Sequence, residues 1–304
     1  MYLLMSALAI LGGVFFAIQG PVNTALGTKT SIFQASLFSF LGGTIFSGIL
    51  VLILGDSGMN KIIEAKFWQL IGGTYGAVSV CVTVAAIPTL GAALALTALM
   101  AGQLLAGIVI DYFGLLDSSK VIVTGMRFAG IAAATIGIFV IYFGSKKSDT
   151  EEKNRDSKRI IVVIAELLAG MLSAMQSPTN ASLARIIGNW EGTFVSFIAG
   201  SIVLLPVALF ADKGKFLKMR GVGIKPWMMT GGFYGVTGIF LSLLTITRLG
   251  AALQVACIMI GQLSCGLIID TFGLLHTTRV KINLLRIAGI AMITVGVILV
   301  TCGK

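Results

Sequence analysis

Charged side chains make up only 11% of this 304-residue chain, against roughly a quarter in a soluble domain. That shortage excludes a globule with a solvated, charged surface. Histidine occurs once, at His276, and the four cysteines (Cys81, Cys257, Cys265, Cys302) lie in apolar stretches without Cys-x-x-Cys spacing. A zinc site, a disulfide framework and a Ser–His or Cys–His nucleophile pair are all excluded by that inventory. There is no His-Glu-x-x-His and no aspartate pair inside an apolar run, so no catalytic residue, metal ligand or cofactor motif is expected. Charge is also absent between Met1 and Thr28. Without a basic leading segment this stretch reads as a retained helix rather than a cleaved signal.

What remains is apolar. Residues of the hydrophobic set form 57% of the chain, and the mean hydropathy is +1.00. An integral membrane protein built of helices is the expected class, because a span needs about 20 mainly apolar residues. Uncharged runs place spans at 1–28, 33–54, 67–87, 91–110 and 128–143, and the second half repeats them near 160–181, 192–211, 227–247, 250–269 and 284–302. Pro88 and Gly91 divide the long run 67–110 by a tight turn. The expectation is an all-α protein of ten transmembrane helices. The stretch Ser145–Arg159 carries six basic and four acidic residues and reads as a solvated linker. The net charge of +10 lies in loops, so it points to membrane topology, not to nucleic acid. Of the 22 Lys and Arg residues, 15 fall on the side holding Lys29, the linker and Lys213–Lys225. By the positive-inside rule that side is cytoplasmic and both termini face outward.

The chain is also written twice. Leu90-Gly91-Ala92-Ala93-Leu94, Gly102-Gln103-Leu104, Asp111, Phe113-Gly114-Leu115-Leu116, Arg127 and Ala129-Gly130-Ile131-Ala132 recur 159 positions later. The second copy reads Leu249-Gly250-Ala251-Ala252-Leu253, Gly261-Gln262-Leu263, Asp270, Phe272-Gly273-Leu274-Leu275, Arg286 and Ala288-Gly289-Ile290-Ala291. This divides the chain into a repeat at 1–144, a linker at 145–159 and a repeat at 160–304. An odd number of spans per half makes the two halves inverted, the construction common in alternating-access transporters.

Few polar residues lie inside the spans, and most come in pairs. Gln19-Gly20-Pro21-Val22-Asn23 in span 1 matches Gln176-Ser177-Pro178-Thr179-Asn180 in span 6. Gln and Asn four apart share a helix face. The proline frees the carbonyl of Ala17 or Ala174. Each motif is a polar notch, fit for a gate, a hinge or support of a binding site, or for a kink bonded to neighbouring helices. Gln103 and Gln262 fall near mid-membrane, where an amide without partners costs several kcal/mol. They are expected at the bundle interior, as binding groups or as inter-helix ties. Tyr75 and Tyr234 lie at similar depth in Gly-Gly-x-Tyr-Gly, where Gly72/Gly76 and Gly231/Gly235 form close-approach faces. Glu166 is the one carboxylate within a span, and its repeat partner is Ala9. An intramembrane acid is a candidate coupling site, with snorkelling to the interface or pairing with Lys158 or Arg159 as the plainer alternative. The copies also disagree at Gln254, opposite Ala95. Asp111/Arg127 and Asp270/Arg286 read as ion pairs at helix ends, and Trp68 and Trp227 as interfacial anchors.

These motifs resemble the drug/metabolite transporter superfamily, and more narrowly its YdcZ-type branch. The resemblance rests on Gln-x-Pro-x-Asn, Gly-Gly-x-Tyr-Gly, the Leu-Gly-Ala-Ala turn, and Gly-Gln-Leu followed by Asp-x-Phe-Gly-Leu, over all but the linker. It implies two inverted five-helix halves in a bacterial inner membrane and transport of small metabolites. Many ten-helix relatives carry cytoplasmic termini, the reverse of the charge count. The expected function is a secondary active exporter of a small polar or amphipathic metabolite. Its substrate groups would be Gln103, Gln262, Tyr75, Tyr234, Gln19, Asn23, Gln176 and Asn180, with Glu166 for coupling. The expected partners are that small molecule, the lipid bilayer, a coupling proton or ion, and a second copy of the chain if it forms a homo-oligomer. The alternative is a non-transporting scaffold or receptor-like protein, for which the doubled notches have no obvious use.

Overall fold

The computed structural model describes residues 2–55, 58–118, 120, 124–144, 153–211, 223–277, 279–280 and 283–302, and these are almost entirely helical. The α-helices are α1 Tyr2–Gly27, α2 Ile32–Leu54, α3 Phe67–Leu70, α4 Gly72–Leu90, α5 Ala92–Phe113, α6 Gly125–Gly144, α7 Lys153–Ile187, α8 Asn189–Ala211, α9 Gly231–Phe272 and α10 Leu284–Cys302. No strand occurs among the described residues. Six helical segments are long and apolar enough to cross a membrane: Tyr2–Gly27, Ile32–Leu54, Phe67–Leu90, Ala92–Phe113, Lys158–Ile187 and Asn189–Ala211. Shorter apolar helical pieces occupy Gly231–Thr245, Cys257–Phe272 and Leu284–Gly296. Leu52, Ile53 and Phe210 stand bare on the outside, as lipid-facing side chains should.

Three boundaries differ from the sequence reading. The turn after α4 is confined to Gly91, whose φ of +79° only glycine adopts cheaply, while Pro88 stays inside α4. Proline leaves the Val84 carbonyl without its helical donor, and the Thr24 hydroxyl of α1 supplies one at 3.5 Å. At the linker, helix begins at Lys153 instead of after Arg159. Residues 153–159 contain neither Gly nor Pro, so nothing local stops α7 from extending. Linker residues 145–152 and most of the basic cluster 213–225 lie outside the described residues. Finally, α9 runs as one helical element of 42 residues, where two spans were expected. It cannot be straight. The Gln254 side chain bonds the Ser242 hydroxyl at 2.8 Å, yet twelve residues of straight helix span about 18 Å. Adjacent Gly12 and Gly13 of α1 likewise face Leu241 and Ile258. The chain therefore bends back sharply between Thr245 and Gln254.

Helix pairs assemble across the sequence. α1 lies on α9, α4 and α5 on α7, α2 on α8, and α6 on α10. Lipid gives apolar helices no hydrophobic reason to associate, so close backbone contact and hydrogen bonds must hold them. The glycines provide the contact, and they do so reciprocally. Gly13 faces the Ile258 carbonyl and Gly170 the Leu99 carbonyl; Gly261 faces the Ile10 carbonyl and Gly102 the Leu167 carbonyl. These are equivalent positions of the two copies, with an offset of 157 across the first two helices of each half and 159 beyond. The α6–α10 contact is reciprocal too, Gly137 facing the Gly289 carbonyl and Gly289 that of Gly137, although these two glycines are not equivalent positions of the copies.

A side chain at such a crossing should be costly. A Cβ on Gly73 would collide with the Ser196 backbone, whereas one on Gly107 meets nothing within 4 Å among the described residues. Gly73→Ala should lose about 1–3 kcal/mol of stability and Gly107→Ala little, measured as unfolding of purified protein in detergent.

Candidate functional site

A cavity of about 630 Å³ lies among α1, α4, α5, α7 and α9, a volume suited to a small-molecule site. All seven amides singled out from the sequence reach its lining: Gln19, Asn23, Gln103, Gln176, Asn180, Gln254 and Gln262. The tyrosines do not. On α4 the lining face is Gly76, Ser79, Val80 and Thr83, and Tyr75, one residue earlier, points about 100° away. Tyr234 has the same displacement from Gly235, Ile239 and Ser242, and its ring packs on Phe15 and Phe233.

The notch amides are held in matching ways. Asn23 Nδ2 donates to Ser39 Oγ at 3.1 Å, and Asn180 Nδ2 to Ser196 Oγ at 3.1 Å. The oxygen of Asn23 faces Gly231 and that of Asn180 faces Gly72, while the amide groups of Gln19 and Gln176 press on Gly235 and Gly76. Each Gln-x-Pro-x-Asn motif therefore sits on the Gly-Gly-x-Tyr-Gly face of the other half. Two patterns that the sequence shows 50 or more residues apart are the two sides of one joint. The glycines are needed because a Cβ would occupy the space of the amide.

The mid-membrane glutamines are less alike. Gln103 Nε2 donates to Ser173 Oγ at 3.1 Å. At the position equivalent to Ser173 the first half has Phe16, and the buried Oε1 of Gln262 has no partner. Gln262 thus keeps unspent hydrogen-bonding capacity toward the cavity, as do the buried Oδ1 atoms of Asn23 and Asn180.

Glu166 is completely buried. It neither snorkels nor pairs with Lys158 or Arg159. Its Oε1 accepts from Thr83 Oγ1 at 2.6 Å, and its Oε2 has no partner. Thr83 lines the cavity, so one hydroxyl separates the carboxylate from that space. The equivalent of Thr83 is Ser242, and it is engaged by Gln254 Nε2. Each copy thus sets one polar group against the same hydroxyl position, a carboxyl in one and a neutral amide in the other.

One end of the cavity is charged, with Asp111, Asp117, Arg127 and Arg185 in its lining. Asp117 accepts from Ser182 Oγ at 2.6 Å and lies 3.7 Å from Arg185, and Ser182 in turn accepts from Gln69 at 2.6 Å. Sequence reading gave Asp117, Ser182 and Gln69 no role, and no local pattern links residues up to 113 positions apart. A second buried carboxylate, Glu191, also escaped it, because it falls just before the apolar run of α8. Both Glu191 oxygens lack partners and sit in the first turn of α8, where the helix dipole favours negative charge. Outside the cavity lining, Trp227 stacks on His276.

The joint can be tested by a double-mutant cycle on Asn180→Ala and Ser196→Ala. The expected coupling is about 0.6 kcal/mol, the usual worth of an inter-helix hydrogen bond in a membrane, read from detergent unfolding.

Comparison with known proteins agrees with this architecture. The family described as "Putative inner membrane exporter, YdcZ" matches residues 4–140 and 161–299. The "Inner membrane protein YdcZ" of Escherichia coli (strain K12) is 28% identical over 110 residues, covering 35% of this chain and 74% of that protein. A solved structure called "Crystal structure of protein" superposes with a TM-score of 0.62 over 97% of this chain and 94% of the other, at 14% identity, a likeness of fold alone. The apolar helices and the two matched stretches make this a multi-pass inner-membrane protein. The chain belongs to the YdcZ family of the drug/metabolite transporters, a family of inner-membrane exporters.

Proposed function

We propose that the chain is a secondary transporter that moves a small polar or amphipathic metabolite by alternating access, with ten transmembrane helices in two inverted five-helix repeats. The observation that carries this reading is the cavity lined by equivalent amides of both copies. The reciprocal glycine crossings and the sharp bend in α9, at the position equivalent to the Gly91 turn, support the repeat. Seven neutral amides, with the charged side chains gathered at one end of the pocket, favour a solute with hydrogen-bonding groups and little net charge. Gln262 and Gln103 are the proposed contact groups, and the Gln-x-Pro-x-Asn joints are the surfaces on which the halves rock. Glu166 is the proposed coupling site. A carboxyl sealed from water, with one free oxygen and a hydroxyl bridge to the cavity, can exchange a proton with that space through Thr83. Under the charge count, the mouth at Asp117 and Arg185 opens to the outside.

A thermal-shift screen of purified protein against metabolites tests the binding. A true ligand at a hundred times its Kd adds about 2.7 kcal/mol, and Gln262→Leu should weaken it about fivefold, the value of one hydrogen bond. In proteoliposomes Glu166→Gln should abolish uptake driven by a pH gradient while the ligand shift persists. Uptake that responds to the gradient as in the parent sinks the coupling role. A protein that binds and moves no solute sinks the transporter.

A further inference from the structure

The two copies place matching amides in the cavity and differ in what stands beside them. Three positions in or next to the lining carry serine in one copy and not in the other. Ser173 corresponds to Phe16, Ser177 to Gly20 and Ser79 to Gly238. Two of these exchanges are coupled in space. The Phe16 ring lies over Gly238, whose missing Cβ would fall 2.6 Å from Phe16 Cε1. A side chain at 238 would push the ring aside. In the other copy both hydroxyls are in use. Ser79 Oγ donates to the Ala169 carbonyl at 2.7 Å, and Ser173 Oγ accepts from Gln103 at 3.1 Å.

Phe16 is half-buried and lines the cavity. Helical side chains lean toward the N-terminus of their helix, which carries this ring toward the level of Gly13. The Cβ position of Gly13 is 3.0 Å from Gln262 N. Ring and amide therefore stand on adjoining turns of the α1–α9 crossing. Gln262 is 4% exposed, lines the same cavity, and its buried Oε1 has no partner. That oxygen is kept from water, an arrangement that costs free energy until a donor reaches it. Ile258 and Met259, one turn before Gln262, extend the apolar wall. An aromatic face beside a free acceptor is suited to a ring that carries an N–H or O–H at its edge.

We propose that Phe16 and Gln262 form the specificity subsite of the cavity, and that the solute is a neutral amphipathic molecule with a flat apolar ring and a hydrogen-bond donor at its edge. The inference rests on the transporter reading and narrows its substrate class. The ring packs on Phe16, which Gly238 seats, and the donor completes Gln262 Oε1. Polar groups at the far side of the solute meet the hydroxyl wall of Ser173 and Ser177. A solute without the ring gains nothing from Phe16. One without the donor leaves the buried oxygen unpaired, which a site of this kind rejects. Gln103 is the internal control, because it has Ser173 where Gln262 has Phe16.

Thermal shift of the purified full chain in detergent tests it with neutral probes. Benzamide carries ring and donor, N,N-dimethylbenzamide the ring without the donor, and acetamide the donor without the ring. Benzamide should stabilise the protein at about fivefold lower concentration than its dimethyl form, the worth of one hydrogen bond, and acetamide should act more weakly than either. Gln262→Leu should erase the preference for benzamide over the dimethyl form. Gln103→Leu should lower the affinity for both and keep their ratio. Phe16→Leu, apolar but without the flat face, should weaken both ring-bearing probes. The subsite is overturned by a parent that does not prefer benzamide, or by a preference that survives Gln262→Leu or is equally lost in Gln103→Leu. Ring-bearing probes that bind Phe16→Leu as well as the parent also overturn it. If another solute is still bound and moved in proteoliposomes, the transporter reading stands without the subsite. A preference that depends on Gln262, in a protein that moves no solute, upholds the subsite and removes the transporter.

Discussion

Everything in this fold depends on backbones lying against each other where no hydrophobic force drives them together. In lipid an apolar helix gains nothing by exchanging a tail for a leucine. Contact must come from surfaces shaped to fit, and glycine permits the closest fit. Gly13 and Gly261 bring α1 onto the folded α9, as Gly170 and Gly102 bring α7 onto α5. The amides of the two notches could not be seated without Gly72, Gly76, Gly231 and Gly235. A surface that packs without large interlocking side chains also slides more readily than one that interdigitates. The joint that holds the halves together is therefore suited to move.

Upon that nearly symmetric frame the chain places a few unsymmetric groups. Glu166 stands where the other copy has Ala9, and Gln254 where the other has Ala95. Both meet the repeated hydroxyl position, Thr83 and Ser242 respectively. A carboxyl can change charge and an amide cannot, so only one of the two can sense protons. The Gln103–Ser173 bond likewise has no counterpart at Gln262 and Phe16. The two copies therefore set different polar groups against the same frame.

The legible part was the part written locally. Apolar runs gave the helices, because a span must satisfy its own backbone and therefore announces itself by length. Doubled amides pointed to the cavity, since an amide in hydrocarbon needs a partner. Tyr75 and Tyr234 went astray because depth along a helix was read without its rotation; one residue, or 100°, separates them from the lining face. The helix over 153–159 was missed because a charged segment was equated with loop, although it lacks any breaker. Asp117 and Thr83 carried no local signal, because their partners are far away in the chain, and Glu191 fell just outside an apolar run.

By itself the sequence determined the apolar, helical character of the chain, its internal repetition, and which few polar groups would be buried. Those follow from the cost of placing charge and bare backbone in hydrocarbon, which is paid residue by residue. Only the tertiary structure decided that each notch rests on the other half's glycines, that Thr83 joins Glu166 to the cavity, and that the Asp270 carboxylate accepts from the first two N–H groups of α5. Each of these joins residues far apart in the chain, a property of the assembled fold that no local stretch contains.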